Sequence, residues 1–290
     1  MVRLKLKILK MLIFCLVKIT NIFNSNLKIL IISNNAFFFE NGISLNIKYS
    51  NRYLKSILKS NKGNSFEEFF NYNKSIISDD LESIIDVGSN YGEFTFFVSN
   101  KFPNSKILSI EGSSLNYGIL KQNFQNSILK NKNIFLVNKI ISENVELTKI
   151  TTNKNAENQI ISKKIASSNF EKIKNENFEI SESDTLIGVC KKFNFDKIDF
   201  LKVDIEGAEI FLKNDILLLK PKYIMLEFDA RKTNVQKYID MMKSLEQLYL
   251  IFRVENNSKL ITINNVENII NDSVNISKLS NGYDFFLKLK

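Results

Sequence analysis

Ile84–Gly92 reads IIDVGSNYG. Apolar residues lead into an acid, then a turn punctuated by Gly88 and Gly92. An aromatic-rich stretch follows from Glu93 to Phe102 and is stopped by Pro103. The pattern predicts a strand over Ser83–Val87, a tight turn and a helix over Glu93–Phe102. In an open α/β sheet such a turn lies beyond the carboxyl end of its strand, where ligands bind. Gly88 lets the chain turn tightly, Gly92 lets the helix pack closely, and Asn90 tolerates a left-handed backbone better than most residues. Asp86 is expected to face the charged or polar end of a cofactor. The spacing is D-x-G-x-N-x-G rather than the G-x-G-x-x-G that a pyrophosphate cofactor favours.

Working outward, the next strand, Lys106–Glu111, ends in an acid about 20 residues past the Gly turn. That is the position from which a carboxylate accepts hydrogen bonds from a ribose diol. The competing reading is a structural Gly turn with Glu111 in solvent. A second acidic loop lies at Lys197–Glu209, KIDFLKVDIEGAE. Its strand, Phe200–Val203, brings Asp204 to the same rim, and Glu206 and Gly207 follow. Glu227 and Asp229 close a fifth strand, Tyr223–Phe228, on that rim. Clustered carboxylates have raised pKa values unless a cation shares the site. The cofactor's own charge, Mg2+ or Ca2+, Lys202 or Arg231 could be that cation. The bland alternative is that Glu206 or Glu209 caps or solvates the helix that follows.

The remaining pattern alternates. Helices are predicted at Phe66–Ile77, Leu115–Leu129, Leu186–Phe193, Ala208–Leu219 and Val235–Leu248. Further strands fall at Asn133–Val137, Val145–Thr151, Tyr249–Val254 and Tyr283–Lys288. This predicts an α/β fold, a mostly parallel sheet with helices on both faces. Residues 142–180 are polar and read as a short strand within a flexible insertion.

The 290-residue chain contains no histidine, which excludes any mechanism that needs a histidine base, ligand or switch. Its formal charge is +9. Arg3, Lys5, Lys7, Lys10, Lys18 and Lys28 fall in the first 33 residues with no acid among them. The remainder holds 34 basic against 31 acidic side chains, a balance of +3 that argues weakly for nucleic acid. The apolar run Met11–Val17 is too short to span a bilayer. On a helix Arg3, Lys7, Lys10 and Lys18 form one stripe. Residues 1–33 are therefore expected to be a basic amphipathic segment, either on an anionic membrane surface or packed on the domain. Residues 34–80 form a lead-in, with a hairpin turning at Asn41-Gly42 and a helix at Tyr53–Lys59. Residues 81–290 are expected to form the α/β domain that carries both loops. Cys15 and Cys190 give no metal spacing or disulfide framework, which suits a cytoplasmic setting.

At IIDVGSNYG, EGSSLNYGILKQN (Glu111–Asn123) and KIDFLKVDIEGAE the chain resembles the FkbM-type family of S-adenosylmethionine-dependent methyltransferases. The D-F-L-K-x-D-x-E-G-x-E run is the most specific element, and YIMLEFD (Tyr223–Asp229) also fits. The resemblance covers roughly Leu81–Phe252. It implies a class I methyltransferase, Rossmann-like fold, a seven-stranded sheet whose last strand, here Tyr283–Lys288, is antiparallel. It implies S-adenosyl-L-methionine as cofactor. Asp86, Gly88, Ser89, Asn90 and Gly92 would line its methionine end, Glu111 would hold the ribose hydroxyls, and Asp204 would sit beside the sulfonium and the acceptor. The Pro that commonly follows the ribose acid is Gly112 here.

The family is similar to enzymes that methylate hydroxyl groups, often on sugars, glycans or secondary metabolites, and the resemblance implies an acceptor of that kind. Without histidine the base must be Asp204, Glu206, Glu227 or a lysine such as Lys202, with Asp204 first by position. A divalent metal is permitted by the acids and demanded by nothing. Two other readings stand beside this one. The first is an RNA methyltransferase on the same fold, against which the near-neutral body argues. The second is a non-catalytic membrane-surface protein held by residues 1–33.

Overall fold

Ile84 and Ile85 are neighbours in one strand, point to opposite faces and are both wholly buried. A strand buried on both faces needs helices above and below, and the architecture follows from that. The computed structural model describes residues 29–32, 35–40, 43–48, 65–125, 133–151, 160–162, 178–254, 260–262, 265–268, 270 and 283–290.

In chain order the elements are β1 (Ile29–Ile32), β2 (Asn35–Glu40), β3 (Ile43–Lys48), α1 (Ser65–Tyr72), β4 (Ser83–Val87), α2 (Glu93–Lys101), β5 (Lys106–Glu111) and α3 (Ser114–Gln125). Next come β6 (Ile134–Asn138), β7 (Ile140–Ile141), β8 (Leu147–Thr151), β9 (Ile160–Ser162), β10 (Phe178–Asp184), α4 (Leu186–Lys192) and β11 (Phe200–Val203). A 3-10 turn (Glu209–Leu212) leads into α5 (Lys213–Leu219). Then follow β12 (Tyr223–Phe228), α6 (Val235–Glu246), β13 (Tyr249–Val254), β14 (Leu260–Thr262) and β15 (Tyr283–Leu289).

The central sheet runs β14-β13-β15-β12-β11-β4-β5-β6. Strands β12, β11, β4, β5 and β6 pair in parallel, and β15 is antiparallel to both its neighbours, β12 and β13. These seven strands are the expected mostly parallel sheet with its last strand reversed. The short β14 adds an eighth at the edge. The order reverses beside β4, between β5 and β11, so the crevice beyond these strand ends is the switch point where ligands bind in open α/β sheets.

Alternation along the strands splits the core in two. Ile84, Ile107, Phe200, Tyr223 and Phe286 face one side and pack with Phe69 and Phe70 of α1 and Phe94 and Phe96 of α2. Ile85, Leu108, Leu201, Ile224 and Leu287 face the other and pack with Leu186 and Val189 of α4, Ile216 of α5 and Tyr238, Met241 and Met242 of α6. Each large side chain removed from water there contributes roughly 1.5–3 kcal/mol. Cys190 lies in this second layer, buried and unpaired.

Several expectations need adjustment. The helix expected from Ala208 begins as the 3-10 turn and becomes α-helical only at Lys213, because Gly207 (φ 97°) sits just before it. The strand expected at Val145–Thr151 is present as β8, but it does not stand alone. β10 pairs antiparallel with β8 and parallel with β7, giving a four-stranded sheet β7-β10-β8-β9. Its sequence FEISESD alternates too weakly to announce a strand. In the lead-in, β1-β2-β3 form an antiparallel sheet, with β2 and β3 pairing as the predicted hairpin arms. Residues 29–32, ILII, are a strand rather than the end of an amphipathic helix, as β-branched residues favour. The expected amphipathic stretch before Ile29 and the helix at Tyr53–Lys59 lie outside the described residues. Among the described residues no helix is long and apolar enough to cross a membrane.

Candidate active site

The turn after β4 is built from backbone hydrogen bonds. The Gly88 and Ser89 N–H groups both donate to the Ile110 carbonyl, at 2.9 and 3.0 Å. Gly88 has φ 80°, and a Cβ there would lie 1.8 Å from the Asp204 carbonyl oxygen. No side chain fits at this point, so the two loops meet backbone to backbone. Asn90 takes the left-handed conformation, φ 50°. Its N–H donates to Glu111 Oε2 at 2.8 Å, and the Ser113 N–H donates to Glu111 Oε1 at 2.9 Å. Burial pushes the Glu111 carboxyl up to about 7 despite these two donors. A carboxylate has about four lone-pair positions, so each oxygen keeps acceptor capacity. The loop after Glu111 lacks proline and is held instead by Asn138, whose amide donates to the Glu111 carbonyl at 2.8 Å and the Gly112 carbonyl at 3.2 Å.

Gly88, Asn90, Glu111, Asp204 and Glu206 line one cavity. Gly112, Ser113 and Lys139–Ile141 close its far wall. The sequence reading missed the Lys139–Ile141 part of that wall, since β7 and the residue before it carry no distinctive motif. Asp86, Ser89 and Gly92 are not on the lining. Asp86 is wholly buried on the α2 face of the sheet. Its Oδ2 accepts from Thr95 Oγ1 at 2.7 Å, and Lys202 Nζ stands 3.7 Å from its Oδ1. Burial raises the Asp86 pKa, and Lys202 works against that rise. Gly92 caps α2 against Leu120 and Phe96. The Ser89 Oγ and Asn90 Oδ1 are buried and have no hydrogen-bond partner in the chain.

The acidic loop is built from side chains. Glu209, 1% exposed, accepts through Oε1 from the N–H groups of Ile205 (3.0 Å) and Gly207 (3.2 Å). It therefore caps the 205–207 turn from inside rather than solvating a helix, and burial pushes it up to about 7. Glu206 has φ 57° and forms an ion pair with Lys232. A Cβ on Gly207 would lie 2.5 Å from the Lys232 carbonyl oxygen, so this turn packs on the loop after β12. Asp229 sits in that loop, bound by the Arg231 side chain through two hydrogen bonds of 2.8 and 2.6 Å and by its backbone N–H at 2.9 Å, away from the cavity lining.

Asp204, Glu206 and Glu227 have carboxylate oxygens within 4.8 Å of one another. Asp204 and Glu227 share a side-chain hydrogen bond, which requires a proton between them. Burial, then the Asp204 charge, push Glu227 far above the carboxylate range, so Glu227 keeps that proton. Burial alone would raise Asp204 too, but Lys202 at 3.0 Å, the hydrogen bond from Glu227 and the Lys232 charge together hold Asp204 below its ordinary value. Glu227 pairs in register with Asp284 of β15. Asp284 adds a fourth acid to the rim, and the signal for it was only an acid at the start of the last strand.

The sequence profile described as "Methyltransferase FkbM domain" matches residues 86–253, more than half of the chain. The chain belongs to the FkbM methyltransferase family. No curated protein matches it. Among solved structures it is similar to the methyltransferase FkbM from Methylobacillus flagellatus KT, at 12% identity and a TM-score of 0.46, covering 76% of this chain and 47% of that one. It thus spans about half the length of that structure. It is also similar to precorrin-6y C5,15-methyltransferase from Geobacter metallireducens, at 11% identity and TM-score 0.39, covering 78% of this chain and 86% of that one. A third is P. horikoshii TYW2 in complex with MeSAdo, at 8% identity and TM-score 0.40, covering 88% and 70%.

Proposed function

Starting from that family membership, we propose that the chain is an S-adenosylmethionine-dependent O-methyltransferase acting on a hydroxyl of a sugar, glycan or small metabolite. The observation that carries this reading is the meeting of Glu111, Asn90 and Asp204 on one cavity beyond three adjacent strand ends. The residues suit the cofactor. Glu111 has spare acceptor positions for ribose hydroxyls. The partnerless Oδ1 of Asn90, a residue on the cavity lining, is a polar atom that a bound amino-acid moiety would satisfy.

When bound, S-adenosylmethionine supplies a methyl group on a cationic sulfur. The chain's own task is then mainly alignment and proton handling. Asp204, ionised beside Lys202, accepts the proton of the acceptor hydroxyl. Glu227 keeps its own proton and donates a hydrogen bond to Asp204, fixing the orientation of that carboxylate. The near-neutral body of the chain, 34 basic against 31 acidic side chains after residue 33, supports a small acceptor over a polyanion such as RNA.

Calorimetric titration with S-adenosylmethionine tests the reading. Micromolar binding is expected, weakened at least tenfold in Glu111→Ala. A wild-type chain with no saturable binding up to millimolar cofactor would overturn it.

A further inference from the structure

Lys202 is on the central strand β11 and only 8% exposed. Register places it directly beside Asp86 on β4, and Asp86 beside Ser109 on β5. The row continues through hydrogen bonds: Thr95 Oγ1 donates to Asp86 Oδ2 at 2.7 Å and shares a second hydrogen bond of 2.9 Å with Ser109 Oγ. The ammonium lies 3.7 Å from Asp86 Oδ1, 3.0 Å from Asp204 Oδ2 and 5.9 Å from the centre of the Phe94 ring. One buried cation thus touches the strand that enters the cofactor turn and the acid at the head of the second loop.

Burying an ammonium costs several kcal/mol before its partners are counted. A methionine of similar length would fill the same space without that cost. The charge is explained by what it holds. Lys202 cannot serve as the base, because burial against it is outweighed by Asp204 and Asp86 and it stays protonated.

We propose that Lys202 is a positioning residue: its ammonium ties the cofactor-binding strand to Asp204 and keeps that carboxylate ionised and aimed at the cavity. The proposal rests on the methyltransferase reading with Asp204 as base. Other charged groups also face Asp204. Asp86 comes from β4, Glu227 from β12, Lys232 from the loop after β12 and Asp284 from β15, while Glu206 and Glu209 belong to its own loop. Lys232 and the Glu227 hydrogen bond lower Asp204 alongside Lys202, and the charges of the remaining acids work the other way.

The test labels aspartate carboxyl carbons with 13C, assigns Asp204 by Asp204→Asn, and follows its pH titration by NMR in the full chain. In Lys202→Met the proton affinity of Asp204 is expected to rise at least tenfold, and Lys202→Arg is expected to restore it to within about threefold. A structural role alone would not give this split. Should Lys202→Met fail to fold, the double variant Asp86→Asn with Lys202→Met removes the buried pair together and carries the same titration. A midpoint within about 0.3 pH unit of wild type in the neutral variant overturns the proposal. Absence of S-adenosylmethionine binding by the wild-type chain overturns the methyltransferase reading instead, and the Asp204 titration still decides whether the tie exists.

Discussion

The turns after β4 and after β11 touch one another, yet they are held by different forces. The first is a lattice of backbone N–H groups on the Ile110 carbonyl and the Glu111 carboxylate. It leaves two neutral polar atoms without partners. The second is held by charge: Glu209 inside the turn, Lys232 on Glu206, Lys202 on Asp204. The difference separates two duties. The Gly88 and Ser89 bonds to a backbone carbonyl persist through a wide range of pH, which suits recognition. A turn held by charges carries its protonation state with its shape, which suits proton transfer.

The largest effect that tests this contrast is Gly88→Ala. The new Cβ meets a carbonyl 1.8 Å away at φ 80°, and a flexible side chain is not there to yield. A loss of about 3–5 kcal/mol is expected in urea unfolding, with cofactor affinity lost as well. Stability near wild type would show that the two turns are not in backbone contact.

An intermediate effect compares two buried glutamates. Glu111 and Glu209 are each pushed up to about 7 from 4.5 by burial. The folded state therefore binds an extra proton at each site between those values, and stability falls as pH rises from about 4.5 to about 7. Each contributes at most about 3 kcal/mol to that fall. In Glu209→Gln the oxygen can keep both N–H donors while the amide nitrogen replaces the partnerless Oε2. Its melting temperature is expected to lose part of the decline between pH 5 and 7.5. In Glu111→Gln one of the Asn90 and Ser113 N–H groups faces another donor. That variant is expected to lose about 1–3 kcal/mol at both pH values. Equal behaviour of the two variants in thermal scans would break the distinction between the loops.

The smallest effect concerns metal. Lys202 and Lys232 already supply cationic charge to Asp204 and Glu206, and Glu227 carries a proton. Removal of divalent ions with EDTA is expected to change the cofactor affinity less than twofold. A tenfold loss restored by Mg2+ would show that the lysines do not balance the cluster.

Much of this was legible in the sequence because it is local. IIDVGSNYG placed its strand, turn and helix to within a residue, and Asp204 follows from the strand end. Asp86 shows where local reading stops. The motif suggested that it faces the cofactor, but strand alternation turns it with Ile84 toward the α2 layer, into a row with Ser109 and Lys202 that only cross-strand register defines. Asp284 was hidden for the same reason: it joins the rim by pairing with Glu227. β10 was hidden because a polar strand in a small added sheet lacks the apolar run that marked the central strands.

The pairing of β4 with β11 joins segments more than a hundred residues apart, clamped at their entry by the Glu82 N–H on Asp199 at 2.9 Å. Contacts at such separation form slowly, since the intervening chain must first be closed into a loop. The halves of the cavity are thus synthesised far apart in time. A nascent chain that has not yet released β11 has its glycine turn but no wall opposite it, so ligand capture should mark late folding rather than early collapse.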